Sequence, residues 1–246
     1  MEAAVFRWII HKDPANTSLM IQPYMIAVTG GSGSGKSTLA NALVKRLGAG
    51  RAQIFGEDNY YKPREHYGVD APSWTDAEIE QRIDFDDPVS KEMDLFESHL
   101  AALKNGESIS QPVYDFSVHD RDMGEQKIIS PTEFIIVEGV HVLHQKRYFG
   151  LFDLTVFVDT PPDLRLARRI KRDVAERGRD LDRVIAQYLT FVRPAHAKYT
   201  EPAKVFCDLI IQDEGPLASA VGHPDPRAEA RLLAPLWGFL QDQEMI

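Results

Sequence analysis

Nine residues, Gly30 to Thr38, read GGSGSGKST and meet the spacing G-x-x-x-x-G-K-[ST] at Gly30, Gly35, Lys36 and Ser37. The chemistry this spacing serves is the gripping of a polyphosphate. In the turn Gly30-Gly31-Ser32-Gly33-Ser34-Gly35, small residues let successive backbone N–H groups point inward at phosphate oxygens. Lys36 reaches the outer phosphates, and the Ser37 hydroxyl, followed by Thr38, is placed to ligate Mg²⁺. The flanks agree with the letters. The apolar run Met25-Ile26-Ala27-Val28 predicts a strand, and Leu39 to Val44 predicts a helix whose positive dipole end faces the same anion.

Phosphoryl transfer also needs a metal ligand, a group to position or deprotonate the acceptor, and cations for the migrating phosphoryl group. Glu138 follows the apolar strand Phe134–Val137 and takes the place of a strand-end acid that holds Mg²⁺ directly or through water. Asp58 lies 22 residues after Lys36, at the end of a second strand, and is the candidate base. The cations come from Arg165–Arg183, where eight basic residues face four acids. Within it Arg165, Arg168/Arg169 and Arg172 recur at helical spacing and are expected on one face. Arg177-Gly178-Arg179 follows, with Gly178 as a hinge, so the segment is expected to close over the phosphates as an arginine-rich lid.

The elements that must position these groups alternate. Strands are predicted at 25–29, 52–56, 134–137, 154–158 and 205–211. Helices are predicted at 36–47, near 76–82, at 91–103, 163–176, 182–192 (closed by Pro194) and 227–241. Residues 111–122 are polar and aromatic, too poor in apolar runs to form core. Continuous apolar strands between helices give an α/β fold, a parallel sheet covered on both faces. In such sheets ligands sit beyond the carboxyl ends of the strands, which is where Glu57-Asp58, Glu138 and Asp159 fall. The chain divides into residues 1–24 of unassigned role (a packing strand or helix, or an extension before an alternative start at Met20 or Met25), a catalytic domain over 25–213, and a tail over 214–246 with an amphipathic helix.

Composition sets the outer limits. The chain has 246 residues, 43% hydrophobic and 26% charged, with a formal charge of −9. That charge argues against general nucleic-acid binding. No apolar run approaches the roughly 20 residues that span a bilayer. Met1-Glu2-Ala3-Ala4 lacks the positive start of a secretory signal. The one cysteine, Cys207, in a strand-like stretch, forms no intrachain disulfide and suits a reducing cytoplasm.

From about Met25 to Gln212 the chain resembles uridine kinase (uridine–cytidine kinase), among the P-loop nucleoside and nucleotide kinases. The resemblance rests on GGSGSGKST, Asp58-Asn59-Tyr60-Tyr61-Lys62, Asp84-Phe85-Asp86-Asp87-Pro88, Pro112-Val113-Tyr114-Asp115-Phe116 with His119, Val137-Glu138-Gly139, Arg168-Arg169 through Glu176-Arg177-Gly178-Arg179-Asp180, and Gln187-Tyr188. It departs where the family commonly has Asn-Phe-Asp-His-Pro and Ser-His-Ser-Arg, here Asp84–Pro88 and Val118–Arg121, and over 62–83. The resemblance implies Mg²⁺-dependent transfer of the ATP γ-phosphoryl group to the 5′-hydroxyl of uridine or cytidine. It implies Asp58 as base and Asp86 on the ribose hydroxyls. Tyr61, Tyr114, Phe116 and His119 would surround the pyrimidine, with Arg169 and Gln187 on the nucleoside and Arg172, Arg177 and Arg179 on the phosphates. It further implies a homo-oligomer, a tetramer. The rivals are a kinase of another small alcohol, such as pantothenate or ribulose 5-phosphate, and a nucleotide-binding regulator that signals by lid closure.

Overall fold

The computed structural model describes residues 22–214 and 226–246. The reading of the first 21 residues lies outside them. Five parallel strands form the central sheet: β1 (Tyr24–Thr29), β2 (Ala52–Gly56), β5 (Phe134–Glu138), β6 (Leu154–Asp159) and β7 (Leu209–Gln212), in the order β2-β5-β1-β6-β7. β1 pairs with β5 on one side (Val28 opposite Glu138) and with β6 on the other. The phosphate loop therefore leaves the sheet at its middle strand, with Glu138 beside it.

Strand residues alternate between two cores, which is why the strands read as unbroken apolar runs. Met25, Ala27, Ile135 and Val137 pack with α3 (Met93–Lys104) through Phe96, Leu100 and Leu103. Ile26, Val28, Ile136 and Val156 pack on the other face with α1 (Lys36–Leu47) and with the terminal α7 (Pro226–Asp242), through Leu232, Leu236 and Leu240. α2 (Asp76–Arg82) opens on a capping box in which Thr75 and Glu78 satisfy each other's backbone N–H groups. α4 (Pro162–Ala175) follows β6 directly.

Three expectations need correction. First, residues 111–122 are not a non-core stretch. β3 (Ile109–Asp115) and β4 (Asp120–Ile129) form an antiparallel hairpin, and Ile109, Gln111, Tyr114 and Ile129 are buried. Second, Pro194 does not end the helix at 192. α5 (Leu181–Gln187) continues through a π-helical turn at Tyr188–Val192, a short α6 (Arg193–Ala195) and a second π turn at His196–Thr200. The wide turn closes with the Arg193 N–H donating to the Tyr188 carbonyl, one residue before the proline that has no N–H to give. Third, the last strand does not start at 205. Glu201–Phe206 is 3₁₀ helix with Val205 and Phe206 exposed, and Cys207 sits half-buried between it and β7.

Candidate active site

Between Thr29 and α1 the loop turns through Gly33 (φ 79°), where a β-carbon would lie 2.5 Å from the Arg165 carbonyl oxygen. α1 begins after Gly35 with no side-chain cap and no acid in its first turn, leaving its first N–H groups available to an anion. Lys36 and Ser37 open the helix, and the Ser37 hydroxyl donates to Glu138 Oε2 at 3.0 Å. Burial lowers the Lys36 ammonium from its ordinary pKa, with Glu138 and Asp58 opposing the shift. Burial raises the Glu138 carboxyl, and Lys36 opposes. A partly desolvated carboxylate beside a serine hydroxyl and a phosphate cradle is a fitting seat for Mg²⁺, which favours one or two protein ligands completed by phosphate oxygens and water.

Two cavities flank this point and share Lys36, Ser37 and Arg172. The first, about 390 Å³, is lined by every residue expected to touch an acceptor: Asp58, Tyr61, Asp86, Tyr114, Phe116, His119, Arg169 and Gln187, together with Glu138, Arg177 and Arg179. Tyr61, Tyr114 and Phe116 form an aromatic wall, with Tyr61–Tyr114 centroids 5.0 Å apart and Tyr114–Phe116 5.2 Å. The hairpin brings Tyr114 here, and its backbone N–H donates to Asn59 Oδ1 at 3.4 Å. The Tyr114 hydroxyl is buried without a hydrogen-bond partner. His119, at a left-handed φ of 51°, stacks on Phe85. Burial first, and then Arg179, push its pKa down to about 4, so the ring is neutral at neutral pH.

The second cavity, about 370 Å³, runs along the other side of α1's start. Gly33, Gly35, Thr38, Arg168 and Asp213 line it, and α7 supplies Ala228, Glu229 and Leu232.

The arginines of α4 do not make one cationic face. Arg165 is buried, donates from Nε to the Thr160 carbonyl at 3.0 Å, and serves as a strut against the loop at Gly31. Arg168 pairs with Asp213 at 2.7 Å on the second cavity. Arg169 donates to Ser32 Oγ at 2.9 Å and to Gln187 Oε1 at 2.8 Å on the first. Asp173, fully buried, gathers Arg169, Arg172, Arg177 and Arg179 within 2.8–3.7 Å. Burial resists its ionisation, but Arg172 and Arg169 outweigh that and hold its pKa below the ordinary carboxylate value. Asp159 pairs with Lys204 at 2.6 Å and lines neither cavity, and Glu57 lies behind the first one.

Lys91, Asp173 and the part that α7 plays in the second cavity gave no sign in the sequence, and Glu57, expected with Asp58 at the ligand edge, lies behind it. Lys91 Nζ sits 2.7 Å from Asp58 Oδ1 and 2.8 Å from Glu57 Oε1, in a side chain fully shielded from solvent. Burial works against its charge, but Asp58 and Glu57 hold its pKa well above that of a free lysine.

The profile of the Phosphoribulokinase / Uridine kinase family matches residues 25–217. The chain belongs to this family. It is 40% identical over 196 residues to a uridine kinase of Clostridium perfringens, covering 80% of this chain and 90% of that one. It is 41% identical to a uridine kinase of Brevibacillus brevis, covering 80% and 87%. The fold is similar to that of phosphoribulokinase from Rhodobacter spheroides, at a TM-score of 0.56 and 19% identity over 78% of this chain and 70% of that one. Among the described residues no helix is long and apolar enough to cross a membrane.

Proposed function

We propose that this member of the family transfers the γ-phosphoryl group of ATP to the 5′-hydroxyl of uridine or cytidine. The observation that carries the reading is the meeting of two cavities at Lys36, Ser37 and Arg172, with Asp58 and an aromatic wall, among the described residues, on one side only. The uridine kinases at about 40% identity support the same acceptor. The cavity along α7 takes the donor's nucleoside end. The loop N–H groups and Lys36 hold its phosphates.

In the acceptor cavity the pyrimidine lies among Tyr61, Tyr114, Phe116 and His119, and Asp86 accepts from the ribose hydroxyls. The neutral His119 ring offers one donor and one acceptor to the base edge. Asp58 accepts the proton of the 5′-hydroxyl as its oxygen attacks the γ-phosphorus and the bond to the β–γ bridging oxygen breaks. Lys36 and Arg172 lie where negative charge develops on the transferring group and need no reorganisation to meet it. Ser37 and Glu138 would hold Mg²⁺, which supplies charge neutralisation to the phosphate oxygens. The Arg177–Arg179 turn, with Gly178 at φ 64°, is the segment through which closure over the phosphates would act.

The test is ADP release across a panel of uridine, cytidine, other nucleosides, pantothenate and ribulose 5-phosphate. Turnover is expected with one or both pyrimidine nucleosides. Turnover with neither would overturn the reading, and turnover with a panel alcohol alone would replace it.

A further inference from the structure

Lys91 stands behind the acceptor cavity and does not line it. An ammonium carries three N–H donors and no acceptor. Here Nζ donates to Asp58 Oδ1 at 2.7 Å, is ion-paired with Glu57 Oε1 at 2.8 Å, and lies 4.3 Å from the centroid of the Tyr61 ring. The position of Nζ is fixed through the backbone as well. Tyr61 and Lys91 form an antiparallel bridge, Glu92 N donates to the Tyr60 carbonyl at 2.9 Å, and Lys62 N donates to the Ser90 carbonyl at 2.9 Å.

Each partner belongs to the acceptor side. The Asp58 side chain is 45% exposed, enough to swing between rotamers, and among the described residues Lys91 is the side chain that donates to its carboxylate. Tyr61 is part of the aromatic wall. Glu57 is fully buried, and His141 reaches it with Nδ1 at 3.4 Å while its Nε2 lies 2.9 Å from the Asp86 carbonyl oxygen. One buried cation thus joins the base, the wall and, through Glu57 and His141, the segment holding the ribose-binding carboxylate.

We propose that Lys91 is a positioning residue for phosphoryl transfer. It commits Oδ1 of Asp58, turns Oδ2 toward the acceptor hydroxyl, and holds that carboxylate in fixed relation to the Tyr61 wall. The proposal rests on Asp58 being the base. It goes further in making the orientation of Asp58, and not just its presence, a property of a side chain that never touches substrate.

Lys91→Met alone would strand the Glu57 carboxylate in the interior, so the test uses Lys91→Met with Glu57→Gln, in the full chain, and Lys91→Arg beside it. For the double variant kcat is expected to fall about 100-fold, the scale set by a mispositioned reacting group. The KM for ATP should stay within about twofold, since uniform donor binding is untouched. Lys91→Arg, which keeps the charge but not three donors at one point, should recover part of the loss. A folded double variant with near-normal kcat would overturn the proposal. So would an equal rise in the KM of ATP and nucleoside without loss of kcat, and so would failure of both variants to fold, which leaves Lys91 a folding requirement only. Asp58→Asn run in parallel separates the two layers. Normal turnover there overturns Asp58 as base, whereas a dead Asp58→Asn beside an active double variant overturns Lys91 alone. If the chain phosphorylates another alcohol of the panel, the same ratios are taken on that alcohol.

Discussion

The two cavities meeting at Lys36 are of nearly equal size, about 390 and 370 Å³, yet they are built differently. The acceptor side is a polar construction. It has five aromatic or imidazole groups at its wall (Tyr61, Phe85, Tyr114, Phe116 and His119), a buried cluster (Glu57, Lys91, His141) behind it, and a second hub at Asp173 that fixes four arginines. The donor side beyond the phosphate loop shows, among the described residues, the close ion pair Arg168–Asp213 and the flank of a helix that packs on α1. Charges held in place before substrate arrives are costly to desolvate and are worth having where orientation decides the rate. On the proposed assignment, selectivity and chemistry would be concentrated on the acceptor side, and the donor side would be comparatively permissive.

Four substitutions and a pH series would break or sharpen this contrast. Asp58→Asn should cost the most, about 10²–10⁴ in kcat with the KM for ATP unchanged, measured by coupled ADP release. A loss shared equally by both substrates would erase the asymmetry. Gly139→Ala comes next. A β-carbon there meets the Glu57 side chain from its carboxylate back to its Cβ at 2.5 Å, too near the backbone to swing aside. A loss of about 1–3 kcal/mol is expected, read as a lower Tm. Tyr114→Phe removes a hydroxyl buried without a partner, so the Tm should hold or rise slightly and the nucleoside KM should stay within about twofold. A KM raised about tenfold or more would mean that the hydroxyl reaches the nucleoside when it binds. Glu229→Gln, on the donor side, should move the KM for ATP by less than about threefold and leave kcat alone, as expected for a partly exposed charge outside a network. A larger effect would make the donor wall as selective as the acceptor's.

The smallest expected effect is a flat line. With the His119 pKa depressed to about 4, the nucleoside KM should not change from neutral pH down to about pH 5, and should rise below that as the ring charges. The sign for stability follows. The unfolded ring takes up a proton near its usual value while the folded one resists, so this residue contributes a loss of stability as pH falls from about 6.5 toward 4.

What the sequence made legible was what is coded locally. The phosphate loop, β1, β2, α1 and α2 carry their own periodicity and caps, and their bounds were readable to a residue or two. The hairpin was not, because the polar Gln111 is buried on its inward face and Ile129, the apolar partner of Ile109, lies across the turn. The apolar letters Val205 and Phe206 suggested strand but are solvent-facing in a 3₁₀ turn. The first-cavity residues were legible as a set through recurring blocks of motif. Lys91 was not, because a lysine near the start of an amphipathic helix is ordinarily a surface charge, and only the fold brings two carboxylates and a ring around it.

The two π turns after α5 bear on the chain's tolerance of length change. Each accommodates a residue more than an α-helical turn would. Dropping one position between Tyr188 and Val192 would restore ordinary winding over about the same number of turns, so the chain downstream would keep its face. Tyr199, whose hydroxyl donates to Asp87 Oδ2 at 2.6 Å, and Thr200, which donates to the Val140 carbonyl at 3.2 Å, would stay on the side of their anchors. A residue dropped within the regular turns of α5 would instead rotate both by about 100°.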